Sequence, residues 1–264
     1  MLRSIALTLA WPFLQVWLLL LLAVLGLISI VWNLAALLLY PLLPREAGLR
    51  FGRLMISRGY AVFWSIARWS GMLRLHAEVL DPLRDEGGII VAANHPSMLD
   101  ALMLVAHLPR SACIMKASLA NNPLLGPGAR LARYIRNDSP RRMVRQAVAD
   151  LQQGGQLVLF PEGTRTTRWP INRFSSAFTL ISRRAAVPVQ TVFIDTDSPY
   201  LGKGWPLWQL PPLPIVFTVR LGRRFPPAAD HLAMQREIEA YMADGVRARR
   251  PAEAPSTSEQ AWLP

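Results

Sequence analysis

Between Arg3 and Arg45 the chain carries no charged residue, and the heart of that segment, WPFLQVWLLLLLAVLGLISIVWNLAALLLY, is almost wholly apolar. A helix needs about 20 such residues to cross the hydrocarbon of a bilayer, so the run suffices for one tilted span or for a bent helix that dips in and returns. A cleaved secretory signal is a poor match, because its apolar region is about 7–15 residues long and ends in a small-residue cleavage site. Trp11, Trp17 and Trp32 stand where interfacial anchors would help. The following stretch, REAGLRFGRLMISRGYAVFWSIARWSG, mixes Arg50, Arg53, Arg58 and Arg68 with large apolar residues. That pattern predicts a basic amphipathic helix lying against anionic headgroups. Arginines just after an apolar run also direct the rest of the chain to the cytoplasmic side, so the expected location is a cell inner membrane with the globular part on its cytoplasmic face.

Bulk chemistry agrees. Of 264 residues 52% are hydrophobic and 17% charged, and the formal charge of +12 favours a polyanionic partner. An anionic membrane surface fits better than nucleic acid, since there is no finger spacing and no aromatic–glycine RNA signature. Cys113 is the single cysteine, which excludes an intrachain disulfide and a cysteine-rich zinc site. His76, His107 and His231 are scattered, so no metal is expected.

Beyond Gly71 strand and helix patterns alternate. LRLHAEVL, GIIVAA, ACIMKA, QLVLF, VPVQTVFI and PIVFTVRLG read as strands. SMLDALMLVAHL, a segment capped by Ser139-Pro140, FSSAFTLISRRAA and a segment opened by Asp230 read as helices. The expected fold is α/β, with a mixed, largely buried sheet flanked by helices and preceded by the hydrophobic and the basic amphipathic helix. The expected boundaries are 1–72 for the membrane-associating helices, 73–248 for the globular domain and 249–264 for a disordered tail. YLGKGWPLWQLPPLP, from Tyr200 to Pro214, is too broken by proline and glycine for regular structure and reads as an interfacial loop or a channel wall.

NHPSMLD, Asn94 to Asp100, follows an apolar strand directly, which puts His95 at a strand's carboxyl end, where α/β sheets keep their sites. Across a loop-to-helix bend Asp100 can fold back onto the imidazole, fixing its tautomer and leaving the other nitrogen as a general base. The same residues also suit an ordinary helix start, with Asp100 serving the macrodipole. QLVLFPEGTR repeats the arrangement: a strand runs into Glu162, Gly163, Thr164 and Arg165, where Gly163 allows close backbone approach and Arg165 offers a planar fork for an anion. No G-x-S-x-G elbow is present, and Cys113 has no base nearby in sequence.

Together NHPSMLD and FPEGTR, 61 residues apart from Asp100 to Pro161, resemble the first and third motifs of the glycerolipid acyltransferases, typified by 1-acylglycerol-3-phosphate O-acyltransferases. The resemblance covers roughly Leu73 to Leu221, and the N-terminal helices are similar to the membrane-dipping pair of bacterial members. It implies a glycerol-3-phosphate acyltransferase-like fold, in which His95 deprotonates an acceptor hydroxyl and Asp100 orients it, with no covalent acyl-enzyme. Glu162, Gly163, Thr164 and Arg165 would bind the acceptor, and Lys116, in CIMKASLANNPLLG with Pro123 and Gly126, would contact its phosphate or an oxyanion. The implied partners are a lyso-lipid acceptor and an acyl carrier protein or coenzyme A thioester, with no cofactor beyond that co-substrate.

Three blocks depart from the family pattern. Asp138 stands where an arginine is usual, with Arg136 displaced by two; Ser175 and Ser176 replace a Lys and a Gly; Thr191 replaces a Pro. These departures keep other acceptors open, a lyso-ornithine lipid or a specialised aryl or polyene lipid. A non-catalytic lipid-binding protein of the same fold is the alternative outside enzymes.

Overall fold

The computed structural model describes residues 2–122 and 126–249, with side chains from Trp11 onward. The tail beyond 249, and Pro123, lie outside the described residues. In chain order the elements are α1 (Leu2–Leu39), α2 (Arg45–Trp69), β1 (Leu73–His76), β2 (Ile89–Ala93), α3 (Asp100–His107), β3 (Ser111–Met115), α4 (Ala117–Ala120), α5 (Gly126–Leu131), β4 (Ile135–Arg136), α6 (Pro140–Gln152), β5 (Gln156–Leu159), α7 (Ala177–Ala185), β6 (Val189–Thr196), β7 (Ile215–Phe225) and α8 (His231–Arg247).

The strands form one mixed sheet of order β1-β7-β6-β2-β5-β3-β4, in which only β6 and β7 are antiparallel neighbours. Central β2 is buried at every position, as expected of a strand covered on both faces. Its residues alternate between two cores. Ile89, Val91 and Ala93 join Phe63, Leu104 and Leu18 on the face covered by α1, α2 and α3. Ile90 and Ala92 join Ala147, Ile181 and Ile238 on the face covered by α6, α7 and α8.

Two strand expectations change in extent. LRLHAEVL is strand only to His76; Glu78–Leu83 then forms a 3-10 turn. Leu80 and Leu83, three apart, both become buried, the period of a 3-10 turn rather than of a strand. PIVFTVRLG runs on to Phe225, which pairs with Val189 of β6, and its arginines find partners: Arg220 with Asp195, Arg223 with Glu237 and Arg224 with Glu86.

α1 lies along the domain. Gln15 Nε2 donates to Trp208 O, and Asn33 Oδ1 accepts the Gly128 N–H at 2.8 Å. The two contacts are eighteen residues apart on one helix, about 27 Å at 1.5 Å per residue. The stretch Trp11–Leu39 is long and apolar enough to cross a membrane, and 11% of its most apolar window is buried. Trp11 and Trp17 are about half exposed, whereas Trp32 packs against Gly128 of α5, which has no room for a Cβ, and so is not a lipid-facing anchor. Of the four arginines expected at headgroups, Arg50, Arg58 and Arg68 are exposed, but Arg53 points inward. Its guanidinium donates to Ala132 O at 3.1 Å, Arg110 O at 2.9 Å and Asp150 Oδ1 at 2.6 Å.

Candidate active site

β2 and β5 are parallel neighbours with Ala92 opposite Leu159. His95 and Glu162 each lie three residues beyond that pair, so the two motifs leave the sheet side by side at its carboxyl edge. Asn94 extends the sheet with its side chain: Nδ2 donates to Ile194 O at 2.9 Å and Oδ1 accepts the Ile194 N–H at 2.7 Å. This anchors the last residue before His95 to β6.

His95 Nδ1 is 2.8 Å from Asp100 Oδ2, which also accepts the Ser97 N–H at 2.8 Å. Asp100 is the first residue of α3, and the bend from Pro96 to Leu99 folds it back over the five-residue interval. Its side chain is fully buried and its Oδ1 has no hydrogen-bond partner among the described residues. Burial pushes the carboxyl up to about 6, against the opposing pull of the His95 and Ser97 hydrogen bonds. The imidazole stacks on Phe160, with centroids 3.9 Å apart and planes at 15°. With Nδ1 committed to Asp100, Nε2 is the nitrogen that can receive a proton.

Glu162 is filled from within. Oε1 accepts the His95 N–H at 3.0 Å and the Thr166 hydroxyl at 2.7 Å, and Oε2 accepts the Asn172 N–H at 2.8 Å. Thr166 N–H in turn donates to His95 O at 2.7 Å. Gly163 adopts φ +68° with nothing near the position of a Cβ, so a turn requires glycine here, and the space beside it is open. Thr164 is half-buried beside it. Arg165 Nη1 donates to Leu201 O at 2.8 Å and Gly202 O at 2.9 Å. One face of the expected anion fork is thus tied to a loop.

Residues 74–195 match the Acyltransferase family model. This segment is an acyltransferase-family domain. Over 144 residues the chain is 30% identical to a Caenorhabditis elegans protein named "Putative 1-acyl-sn-glycerol-3-phosphate acyltransferase acl-2", covering 51% of each. The chain therefore spans about half the length of that curated relative. The crystal structure of PlsC from Thermotoga maritima, a 1-acyl-sn-glycerophosphate (LPA) acyltransferase, superposes with a TM-score of 0.64 at 21% identity, over 90% of this chain and 99% of that one. The fold is shared.

Within the acyltransferase domain, Lys116 is exposed at the end of β3. β3 pairs with β5 as far as Cys113 opposite Val158, and Lys116 follows β3 directly, as the residue that opens α4. Lys116 thus shares the carboxyl edge with His95, two strands away. The departures from the family pattern have local partners. Asp138 forms an ion pair with Arg136 at 2.8 Å. Ser175 N–H donates to Pro161 O at 2.9 Å, and the buried Thr191 hydroxyl donates to Arg223 O at 2.7 Å. Thr166 and Asn172, which hold the Glu162 carboxylate, are residues that the motifs alone do not reveal, whereas Phe160, which stacks on His95, is the first residue of FPEGTR.

Proposed function

We propose that the chain is a membrane-bound O-acyltransferase moving a fatty acyl group from an acyl carrier protein or coenzyme A thioester to a hydroxyl of a lyso-glycerophospholipid of the 1-acylglycerol-3-phosphate type. The observation that carries this reading is the 2.8 Å contact between His95 Nδ1 and the buried Asp100, a tautomer-fixed base at the mouth of two motif loops. His95 Nε2 takes the proton of the acceptor hydroxyl as its oxygen attacks the thioester carbonyl carbon. The tetrahedral intermediate collapses, the C–S bond breaks and the thiolate leaves, recovering the proton from His95. Asp100 stabilises the imidazolium in between. Nothing in this sequence needs a covalent acyl-enzyme or a cofactor. Lys116 and the free edge of Arg165 are the cations available to an acceptor phosphate.

Membrane attachment rests on α1 and on the exposed Arg50, Arg58 and Arg68 of α2, with the domain on the cytoplasmic side. The Arg136–Asp138 pair favours a second reading of the acceptor alone, since a neutralised arginine suits a lyso-lipid without a phosphomonoester, such as a lyso-ornithine or an aryl lipid. The test is to offer detergent-purified protein a panel of lyso-acceptors with both thioesters and to identify products by mass spectrometry. His95→Ala should lower transfer at least about 10³-fold while leaving the protein folded. Transfer by that variant at the wild-type rate would remove His95 as the base.

A further inference from the structure

The segment from Tyr200 to Pro214 joins β6 to β7 and has no role in the chemistry above. Its start is held by both motifs. Ser97 Oγ donates to Tyr200 O at 3.0 Å, and the Met98 N–H donates to Leu201 O at 3.0 Å. Arg165 grips Leu201 and Gly202 from the other side. Leu201 is held at φ +56°, a conformation leucine adopts only where its surroundings impose it.

The middle of the segment packs on α1. Trp205, Leu210 and Leu213 enter the apolar cluster that contains Leu14, Leu18 and Leu21, and Gln15 binds Trp208 O. Between these inward anchors, Leu207 and Trp208 turn outward, 50% and 71% exposed. Trp11, one helical turn from Gln15, is itself 49% exposed, so the outward residues continue the bare apolar face of α1. Lys203 borders them and is exposed. Aromatic and aliphatic tips beside a lysine are the composition of an interfacial anchor.

We infer that this strap inserts Leu207 and Trp208 into the lipid leaflet that α1 enters, and so seats the mouth of the His95 site against the bilayer. A lyso-lipid then reaches His95 from the leaflet without crossing water. The occupant is phospholipid rather than an acidic protein, because the adjoining chain is uncharged from Ser4 to Pro44. The exposed arginines Arg141, Arg142 and Arg145, which form no ion pair among the described residues, lie on α6, across the sheet from α1. The insertion rests on the proposal that α1 enters the membrane, and the lyso-lipid route with its kinetic test rests also on the acyl-transfer reading.

The test places a bimane label on the full chain in a C113S background through W208C, with L20C on α1 and R236C on α8 as references. Each is bound to phosphatidylglycerol–phosphatidylethanolamine vesicles with brominated acyl chains. Quenching of the label at 208 to the extent seen at 20, with none at 236, is expected. Quenching at 20 alone, or at neither 20 nor 208, overturns the inference. Adding H95A to W208C should leave the quenching unchanged, which separates this outcome from any failure of the catalytic proposal. In parallel, L207D/W208D should raise KM for a long-chain acceptor in vesicles about tenfold and leave kcat/KM for a short, water-soluble acceptor unchanged. Equal loss with both acceptors would also overturn it.

Discussion

The backbone N–H of His95 donates to Glu162 Oε1 at 3.0 Å, while the same loop returns Thr166 N–H to His95 O at 2.7 Å. The third motif thus grips the first on both sides of its histidine, and Glu162 acts as a brace with its oxygens already occupied. Glu162→Ala should therefore lower kcat on the order of 10²-fold by misplacing His95, with little change in acceptor KM. Steady-state kinetics separate the two roles: a rise in KM at constant kcat would mean that the carboxylate binds substrate.

The buried Asp100 carboxyl, pushed up to about 6, sets the sign of the pH dependence. Above that value it is ionised and supports the imidazolium; as pH falls through about 6 it takes a proton and the support is lost. We expect kcat/KM to rise with pH and level off above about 6. For stability the direction reverses, because a raised folded pKa contributes fully below the ordinary carboxylate value, and that contribution is lost as pH rises through about 6. Asp100→Asn should remove the part of the acid limb that this carboxyl contributes, lower the rate about 10³–10⁴-fold by favouring the wrong tautomer, and remove the carboxyl's share of the change in melting temperature between about pH 4 and 7. An acid limb unchanged in the variant would assign the titration elsewhere.

Much of this site is legible in sequence because strand ends followed by polar loops place residues at one sheet edge whatever the intervening connections do. His95 and Asp100 are close because a bend at Pro96 to Leu99 is local. What Glu162 and Arg165 touch is not local: the first meets a backbone N–H 67 residues away and the second carbonyls 36 and 37 residues away. A sequence shows that such groups can bind anions, whereas only the fold shows which partners already fill them. Arg53 illustrates the same limit. Its position on an amphipathic helix suggested headgroups, but the close approach of α2 at Gly52 to Ala132 turns that face inward.

That inward arginine carries its own expectation. Arg53 is 4% exposed and Asp150 14%, and the guanidinium ties α2 to α6 and to the Arg110 and Ala132 carbonyls. Arg53→Met should destabilise the protein by about 3–5 kcal/mol, since Asp150 and two carbonyls lose their partner together. Denaturant unfolding in detergent measures this, and R53M/D150L should recover part of the loss. If the single variant were as stable as wild type, the pair would have no structural role.

The last expectation concerns the thioester carrier. α6 begins at the carboxyl edge of the sheet, after β4, and presents Arg141, Arg142 and Arg145 in its first turns. All three are exposed and none forms an ion pair among the described residues. Cations at a helix N-terminus are opposed by the macrodipole, and Arg141 and Arg145, four apart, repel each other, so the arrangement costs helix stability. Lying across the sheet from α1, these arginines face water, where an acidic carrier protein would dock. R141E/R142E/R145E should raise KM for an acyl carrier protein thioester at least about tenfold at low salt, and the difference from wild type should shrink as ionic strength rises. A coenzyme A thioester has no acidic helix to repel, so its KM should move much less. Equal effects on the two donors would assign the patch to the phosphopantetheine phosphate they share, and no effect on either would leave the arginines without a part in donor binding.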